Sequence, residues 1–366
     1  MSAVIGLDLS CLEATPETGV ERYARRLAEH LPEAAPHMQF LILTRPGRPV
    51  PVVSEPARVV PVPSILPRLG WRETALPRAL KRLGISLLHA PVAAIPLRAA
   101  VPRIATVHDV PAWGEPGFEG RLSRNRLRLF HAVRAAKRII VPSSATRASL
   151  IELEPRCEPR IRVIHHGVDP DFRPKGIALK RSRYSIPDGV PYLLWVGTVR
   201  QRKDPLVLIR AFASLAETYG DLHCVVCGDA RMDEATLRAP VAGTPAEGRL
   251  LLTGYAARED LPDLYREAAC LVLPSRIEGF GLPALEAMAC GRPVITSQDP
   301  ALKDLVGDAG LSFRTGDATD LAETITTLLE DDGQAEALAA CARARAAGYS
   351  WGACARAHAD VYDELL

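Results

Sequence analysis

The residues best suited to chemistry lie in the segment 275–296, which reads SRIEGFGLPALEAMACGRPVIT. An apolar strand pattern ends near Pro274, a loop with two glycines follows, and Pro283 suits the first turn of a helix. Backbone N–H groups of residues 280–282 at such a helix start can hold a phosphate without side-chain charge, because the helix dipole adds partial positive charge there. The segment therefore predicts an anion site.

Two carboxylates flank this anion site. Glu278 lies in the loop before the helix, where it can reach the hydroxyl groups of a polar ligand. Glu286 lies about one turn inside the helix and can accept from a second group, such as a ribose diol. Acids beside a phosphate site indicate a ligand that carries hydroxyl groups as well as phosphate.

A second candidate segment is WVGTVRQRKDP, residues 195–205. A strand delivers Gly197 and Thr198 to a loop, and Arg202 and Lys203 then present adjacent cations just before a helix. Arginine offers a fork of donors and lysine a point charge, so the pair can neutralise a diphosphate. The alternative is a solvated charge run, which is the commoner explanation for two such cations considered alone.

Histidines supply two further candidates. His108 ends an apolar strand pattern, where it is either a functional residue of a cleft or a structural histidine. His165 and His166, with Asp169, have the residue types of a metal site. Neighbouring strand residues point to opposite faces, however, so a strand that ends in a linker is the preferred interpretation and no metal is expected.

The elements that must position these residues alternate between short β-branched runs and longer helical patterns, which predicts parallel strands with crossover helices. Residues 171–190 are rich in proline, glycine and charge and are interpreted as a linker between an N-terminal domain, 1–170, and a C-terminal domain, 191–349. Two such α/β units imply a cleft between two sheets, where ligands are expected. The clearest helix patterns run over Val20–Leu31, Glu73–Leu83, Leu122–Ala136, Ala145–Leu153, Leu206–Thr218, Leu261–Ala269 and Ala284–Cys290.

Composition narrows the class of protein. A chain of 366 residues exceeds the usual size of a single core, and 48% hydrophobic with 24% charged residues is typical of a globular protein. No apolar run approaches the ~18 residues of a spanning helix, and the first residues lack a basic leader, so a cytoplasmic location is expected. The eight cysteines are scattered and are interpreted as reduced thiols. Cys224 and Cys227 form a CxxC inside an apolar run, which favours buried strand cysteines over a zinc site.

Charge is distributed unevenly along the chain. Residues 1–170 hold 24 basic and 15 acidic residues, against 21 and 28 in the remainder, so the first half should face something anionic. The segment 121–138 has seven basic residues and no acid. It is either a solvated helix face or a docking surface for anionic lipid or a lipid-diphosphate acceptor. Six further residues would contribute to such a surface: Arg68, Trp71, Arg72, Arg78, Lys81 and Arg82. The absence of interleaved aromatic residues argues against nucleic acid as a partner.

At this point the sequence resembles a known family, the family 4 glycosyltransferases. The motifs that carry the resemblance occur in order along nearly the whole chain: TGVERYARRL, TVHD at 106–109, VPSSATR, VIHHGVD at 163–169, GTVRQRK, and the E-x7-E segment with its GFGLP core. The motifs TGVERYARRL and VIHHGVD favour the bacterial mannosyltransferase-like members of the family. The resemblance implies a retaining enzyme of GT-B fold, with two Rossmann-like domains that face a central cleft and a C-terminal helix, about 350–366, that returns to the N-terminal domain.

Carried over residue by residue, the resemblance implies roles for a catalytic and donor-binding set. Arg202 and Lys203 would bind the donor's diphosphate, Glu278 the hydroxyls of the transferred sugar and Glu286 the ribose. The backbone of Gly279, Phe280, Gly281 and Leu282 would bind the distal phosphate, the segment ending in Gly254 and Tyr255 would border the base, and Gly197 and Thr198 would line the same site. His108 and Asp109 would approach the sugar from the N-terminal side. Gly19 and Val20 would line the phosphates, and Glu21, which stands near the place of a frequent second glycine, would have to point away.

The sequence therefore predicts transfer of a hexose, mannose or a related deoxyhexose, from a nucleoside-diphosphate sugar to a glycan or lipid-linked saccharide, with GDP as the expected nucleotide and no metal or other cofactor. Three alternatives remain: a UDP-sugar donor, a nucleotide-sugar epimerase of GT-B type, and a non-catalytic module that binds a nucleotide sugar.

Overall fold

The polypeptide folds into two α/β units, each built on its own parallel sheet. The structure, a computed structural model, describes residues 3–12, 17–64, 70–110, 122–176 and 179–366, without the side chains of 122–126. The first unit comprises Met1–Gly167 with Tyr349–Leu366, and the second comprises Val168–Gly348. The first boundary lies close to the predicted residue 170. The segment predicted as a linker belongs to the second unit.

The first unit contains a seven-stranded sheet in the order β3-β2-β1-β4-β5-β6-β7, and each neighbouring pair is parallel. Its strands are β1 Val4–Asp8, β2 Gln39–Thr44, β3 Ala57–Pro61, β4 Leu87–Ala90, β5 Arg103–Thr106, β6 Arg138–Val141 and β7 Ile161–Val163. Its helices are α1 Gly19–Ala34, α2 Leu76–Arg82 after a wider turn at Trp71–Ala75, α3 Leu122–Ala135, α4 Ser144–Leu153 and α12 Trp351–Asp363.

The second unit contains a six-stranded sheet in the order β10-β9-β8-β11-β12-β13, again parallel throughout. Its strands are β8 Tyr192–Val196, β9 His223–Cys227, β10 Leu250–Gly254, β11 Cys270–Leu273, β12 Val294–Ser297 and β13 Leu311–Phe313. Its helices are α5 Pro205–Leu215, α6 Glu234–Arg238, α7 Leu261–Glu267, α8 Leu282–Ala289, α9 Pro300–Val306, α10 Ala318–Glu330 and α11 Asp332–Ala346. Two parallel sheets with crossover helices confirm the predicted fold class.

Side-chain caps explain where several helices begin. Thr18 and Glu21 form a reciprocal capping box at the start of α1, and Ser143 accepts from the backbone of Thr146 at the start of α4. Asp299 and Asp317 cap α9 and α10 in the same way. Each cap satisfies N–H groups that the first turn of a helix leaves without a backbone partner.

The C-terminal helix α12 joins the first unit through a buried chain of hydrogen bonds. His358 Nδ1 donates to the carbonyl oxygen of Cys354 (2.7 Å), which can only accept. Burial lowers the pKa of His358 to about 4, so the ring is neutral and its Nε2 must accept from the Tyr23 hydroxyl (2.7 Å). Tyr23 in turn accepts from the Thr106 hydroxyl (3.0 Å).

The same chain continues into β4 and returns to α12. With its proton given to Tyr23, Thr106 Oγ1 accepts from His89 Nε2 (2.9 Å). Burial lowers the pKa of His89 as well, so His89 Nδ1 is free of a proton and accepts from the Tyr362 hydroxyl (2.7 Å). Each hydrogen bond in this series therefore has one defined direction, and α12 supplies the groups at both ends.

The segment predicted as a linker packs on α7 of the second unit. Arg181 forms an ion pair with Glu267 (2.7 Å), and the backbone N–H of Leu179 donates to the same carboxylate (2.7 Å). Tyr184 is buried and its hydroxyl donates to Asp260 (2.6 Å). The part of this segment that the structure describes is therefore a packed element.

The cysteines predicted as buried strand residues are confirmed as such. Cys224 and Cys227 lie in β9 and are free thiols inside the sheet. Burial raises the pKa of Cys227 to about 11, which keeps the thiol protonated at neutral pH. Over the described ranges, no group of three or more His, Cys, Asp or Glu side chains is arranged to hold a metal ion. In the same part of the chain, no helix combines the length and apolarity needed to cross a membrane.

Candidate active site

The two segments singled out in the C-terminal half meet at one point of the second sheet. The chain leaves β8 towards β9 and β10 on one side and later adds β11, β12 and β13 on the other, so β8 and β11 are neighbours at the place where strand order reverses. In open parallel sheets, ligands bind outside the carboxyl ends of the strands at such a reversal. Residues 197–204 follow β8 and residues 274–281 follow β11, which puts both segments at this edge.

Two glycines let the backbone pass closely after β8. Gly197 donates its N–H to the carbonyl of Cys227 (3.0 Å). A Cβ atom on Gly228 would lie only 1.6 Å from the carbonyl oxygen of Gly197, so no side chain fits there. The backbone N–H of Val199 then donates to the carbonyl of Asp229 (2.9 Å). Gly228 was absent from the predicted set, although the GD pair after an apolar strand marks a strand end.

The segment after β8 then turns sharply into α5. Residues Gln201–Lys203 form one 3₁₀ turn, and Asp204 adopts a left-handed conformation with φ of 43° before Pro205 starts the helix. Arg202 and Lys203 are therefore fixed on a short turn at the start of a helix, and both side chains are half-buried. This differs from a freely solvated charge run.

Hydrogen bonds made by Arg202 and Arg276 join this turn to the segment after β11. The backbone N–H of Arg276 donates to the carbonyl of Arg202 (2.8 Å), and Arg202 Nη1 donates to the carbonyl of Ile277 (3.3 Å). Arg276 Nε donates to Asp204 Oδ2 (2.7 Å). The two segments are thus one connected surface. Arg276 and Asp204 were not among the predicted residues, because neither has a signal in the sequence besides its charge.

Lys203 and Glu278 form an ion pair at the centre of this surface. Lys203 Nζ contacts Glu278 Oε1, and Ser275 Oγ donates to the same oxygen (2.7 Å). The Lys203 side chain is 18% exposed and the Glu278 side chain 7% exposed. The cation expected at the diphosphate and the acid expected at the sugar hydroxyls therefore touch, which suits a ligand whose phosphate is bonded directly to its sugar.

Helix α8 begins beside this pair. Gly281 has a φ of 99°, and a Cβ atom there would lie 2.6 Å from Leu302 Cδ2, so both the conformation and the space require glycine. Phe280 is 5% exposed, so its ring is part of the core. Leu282 opens the helix, and the first backbone N–H groups of a helix suit an anion.

Glu286 lies one turn inside α8 and is 3% exposed. The hydroxyl of Tyr265, from α7, donates to Glu286 Oε2 (2.9 Å). A buried carboxylate needs such a donor, because an unpaired charge in the protein interior is costly. Tyr265 is a partner that the sequence pattern alone did not indicate.

The residues expected to border the base lie at the neighbouring strand end. Gly254 ends β10, and its carbonyl accepts from the backbone N–H of Gly228 (2.8 Å). Tyr255 follows with 46% of its surface exposed, an unusual position for an aromatic ring and one that suits stacking on a planar group. Thr198 is half-buried beside Gly197.

In the first unit, His108 is held in one tautomer. Its Nε2 donates to the carbonyl of Pro91 (2.8 Å), and its ring stands edge-on to Tyr23 with centroids 4.8 Å apart. Burial lowers the pKa of His108, so the ring is neutral and Nδ1 carries no proton. Asp109 follows it and is half-buried. His165 and His166 have different surroundings: His165 Nδ1 donates to Pro142 (2.9 Å) and His166 packs on Tyr23.

The start of α1 is closed by a capping box that includes Glu21. Gly19 is exposed and Val20 half-buried, but the carboxylate of Glu21 turns back and accepts from the backbone N–H of Thr18 (2.8 Å). A negative charge is therefore fixed at the start of the helix, because the capping box uses Glu21 as its second member.

The proposed basic surface must be corrected at two residues. Trp71 and Arg72 are 1% and 3% exposed. Trp71 donates to the carbonyl of Val62 (2.8 Å), and Arg72 pairs with the buried Asp8 (3.7 Å), so both are structural. Arg78, Lys81, Arg82 and Arg128 are exposed. Arg68, Arg121 and the side chains of Arg124 and Arg126 lie outside the described residues.

Comparison with known proteins gives the family. Residues 18–172 match the model of glycosyltransferase family 4, and residues 177–345 match that of the glycosyl transferases group 1. O-antigen chain mannosyltransferase B of Escherichia coli is 31% identical over 270 residues, which cover 72% of this chain and 70% of that protein. A D-inositol 3-phosphate glycosyltransferase of Kineococcus radiotolerans is 34% identical over 250 residues, which cover 63% of this chain but only 58% of that protein.

Solved structures share the fold over the whole chain. Sucrose-phosphate synthase from Thermosynechococcus elongatus superimposes with a TM-score of 0.77 at 24% identity, covering 99% of both chains. Anabaena HepE, in complex with UDP and glucose, superimposes with a TM-score of 0.78 at 20% identity, covering 100% of both. At these identities the likeness establishes the fold alone, which is the GT-B fold that the resemblance implied. The family models and the sequence relatives show that this chain belongs to glycosyltransferase family 4.

Proposed function

We propose that this chain is a retaining glycosyltransferase that moves a hexose, mannose or a related deoxyhexose, from a GDP-sugar to a glycan or lipid-linked saccharide. The observation that carries the proposal is the contact between Lys203 and Glu278 where strand order reverses in the second sheet. A site that places a cation and a hydroxyl-binding acid side by side suits a sugar diphosphate. A mannosyltransferase among the relatives supports mannose as the sugar, and GDP is the nucleotide expected from the family resemblance.

In the proposed mechanism, the second unit stabilises the leaving diphosphate. Arg202 and Lys203, with the start of α8, offset the charge that develops on the phosphate oxygens as the bond to the sugar breaks. Lys203 must then exchange part of its contact with Glu278 for the phosphate, which leaves Glu278 free to accept from sugar hydroxyls. Glu286 would bind the ribose and Tyr255 the base. Charge stabilisation by these side chains requires no metal in this proposal.

The acceptor side of the proposal involves the first unit. His108 presents an unprotonated Nδ1, which can accept a hydrogen bond from a sugar hydroxyl. Retention of configuration at the anomeric carbon is taken from the family resemblance. It requires that the acceptor oxygen bond to the anomeric carbon on the face that the diphosphate leaves.

A donor panel tests the proposal. Calorimetry and thermal shift with GDP-, UDP- and ADP-sugars identify the nucleotide, and mass spectrometry with saccharide acceptors identifies transfer. We expect binding and transfer with GDP-mannose, and loss of both in Lys203→Ala and Glu278→Ala variants that keep their circular dichroism spectrum. Preference for UDP-glucose would assign the other donor class. An absence of heat with every nucleotide in folded protein would reject the donor site.

A membrane surface on the first unit is a further part of the proposal, supported by exposed leucines within the basic region. Leu97 and Leu127 are 60% and 69% exposed, and Arg98 and Arg128 beside them are exposed too. His131, one turn after Leu127 on α3, donates to the carbonyl of Pro96 (3.3 Å), so the two leucines lie on neighbouring segments. Apolar side chains among cations are typical of a surface that docks on anionic lipid at the cytoplasmic face of a membrane.

Vesicle flotation tests this surface. We expect binding to vesicles that contain phosphatidylglycerol, weaker binding at high salt, and a loss in Arg128→Glu and Leu127→Ser. Arg210→Glu changes an exposed arginine of the second unit and serves as the matched control. Equal binding to neutral vesicles, or no effect of salt, would contradict the electrostatic docking.

A further inference from the structure

Asp299 connects β12 to α9 in the second unit and is almost fully buried, with 6% of its surface exposed. One carboxylate oxygen, Oδ1, accepts from the backbone N–H groups of Ala301 (3.0 Å) and Leu302 (3.1 Å). This is an ordinary helix cap, which serine or asparagine performs about as well as aspartate. The cap alone therefore does not explain a carboxylate at this position.

The second oxygen reaches the donor site. Asp299 Oδ2 accepts from the backbone N–H of Glu278 (3.2 Å), the residue whose side chain pairs with Lys203. A neutral cap residue has one acceptor oxygen, whereas a carboxylate has two, so only an acid can cap α9 and hold Glu278 at the same time.

The end of β12 holds the other end of the same loop. Ser297 Oγ donates to the carbonyl of Ser275 (2.5 Å), and the backbone N–H of Asp299 donates to Ser297 Oγ (3.4 Å). Ser275 in turn donates its hydroxyl to Glu278 Oε1 (2.7 Å). Ser275 and Glu278 are thus both held by side chains of residues 297–299, at the end of β12.

Burial acts against this carboxylate. Burial, with a smaller contribution from the negative charge of Glu278, raises the pKa of Asp299 despite three N–H donors. A serine would cap α9 without that cost. The presence of an acid here is therefore explained by its second acceptor, which faces Glu278.

We propose that Asp299 is a positioning residue for sugar recognition: its Oδ2 fixes the backbone of Glu278 so that the Glu278 carboxylate stays where it binds the hydroxyls of the transferred sugar. This inference rests on the proposed function and deepens it. Asp299 acts through Glu278, and its effect falls on the sugar part of the donor rather than on the nucleotide.

Asp299→Asn separates the cap from the contact with Glu278. Asparagine caps α9 with its carbonyl oxygen, but its NH₂ group then faces the N–H of Glu278, donor against donor. Asp317→Asn is the matched control, since Asp317 caps α10 with the same pattern, accepting from Thr319 (3.0 Å) and Asp320 (3.0 Å), while its second oxygen pairs with Arg314 (3.0 Å) instead of with Glu278.

The measurements are calorimetry with GDP and GDP-mannose, and again with UDP and UDP-glucose, together with transfer kinetics. In Asp299→Asn we expect GDP affinity within twofold of the wild type, loss of the affinity that the sugar adds, and kcat/KM lower by roughly 10- to 100-fold, as an unsatisfied buried donor produces. Asp317→Asn should keep wild-type values.

Each outcome supports or overturns the positioning role of Asp299. Wild-type kcat/KM in Asp299→Asn, or equal weakening of GDP and GDP-mannose, would overturn the positioning role. If Asp299→Asn does not fold, Asp299→Ser keeps the cap oxygen and allows the same comparison, and unfolding of both variants would make Asp299 a purely structural residue. A wild-type protein that binds none of the four nucleotides would instead remove the proposed function, and with it the basis of this inference.

Discussion

Replacement of Lys203 with methionine removes the partner of a carboxylate that is only 7% exposed. The methionine keeps most of the apolar stem, so the change is mainly one of charge. Glu278 would then keep its bond from Ser275 but lose its counter-charge. Because a buried charge without a partner is costly, the second unit should become less stable even though the lysine side chain removed is itself partly exposed, at 18%.

The size of the effect follows from the burial of the two side chains. Two opposite charges at about 4 Å attract by about 4 kcal/mol at an effective dielectric constant near 20. Desolvation of the Glu278 carboxylate cancels part of this, and the Lys203 ammonium is less buried than in fully enclosed pairs, whose disruption costs about 3–5 kcal/mol. We expect about 2 kcal/mol of destabilisation in Lys203→Met and about 1 kcal/mol in Glu278→Gln. The double variant should be destabilised by about 1–2 kcal/mol less than the sum of the two single variants, because the interaction can be lost only once.

Hydrogen exchange is the suitable assay, because the chain has two units and a single unfolding transition is not assured. Protection of the peptides from β8 and β11 reports the opening free energy of the second unit alone. The exposed pair Arg238 and Glu234, 43% and 67% exposed, is the control, for which a coupling of about 0.3–0.5 kcal/mol is expected. If the Lys203 and Glu278 changes add to within about 0.3 kcal/mol, the pair does not contribute to stability and the argument fails.

Three further changes have defined outcomes. Gly281→Ala forces a φ of 99° on alanine and brings its Cβ to 2.6 Å from Leu302. We therefore expect about 2 kcal/mol of destabilisation, measured by thermal melting, together with loss of donor binding. A wild-type melting temperature would contradict this strain. His89 and His358 are buried with lowered pKa values, so the unfolded chain binds protons before the folded chain does as the pH falls. Stability should be full above about pH 6.5 and decrease towards pH 4. A melting temperature that stays constant over that range would contradict the neutral state of both rings. Tyr23→Phe leaves His358 Nε2 without its donor and should cost about 1–2 kcal/mol in urea denaturation, while an unchanged midpoint would show that water replaces the hydroxyl.

The sheet strands were predictable because their sequence signal is local. Every strand of the structure falls within or overlaps an apolar, β-branched run such as VIGLDL, HCVVCGD or PVITS. Four of the seven helix patterns given above begin and end within two residues of the observed helix. The main difference is the pattern 73–83, which is preceded by a wider turn at Trp71–Ala75. That turn places Trp71 and Arg72 in the interior, which charge and aromatic content alone could not reveal.

The contacts of the donor site were less predictable. Lys203 and Glu278 are 75 residues apart, and they meet only because β11 pairs with β8 rather than with β10. Strand order is a tertiary property that hydrophobic periodicity does not encode. Asp299 was missed for the same reason: in the sequence it is one acid before a proline, and its second oxygen gains meaning only when β12 lies beside β11. The roles of all these residues in binding remain predictions.

The buried proton-ordered chain through Tyr23 and His89 has a consequence for the order of synthesis. Its two terminal partners, His358 and Tyr362, are among the last 18 residues of the sequence, whereas the strands and the α1 helix that it joins are made first. On the ribosome, the second unit can emerge complete while the first still lacks the helix that satisfies its interior polar groups. We therefore expect the second unit to fold first and the N-terminal sheet to become stable only once α12 has been made, so that deletion of α12 destabilises the N-terminal sheet most.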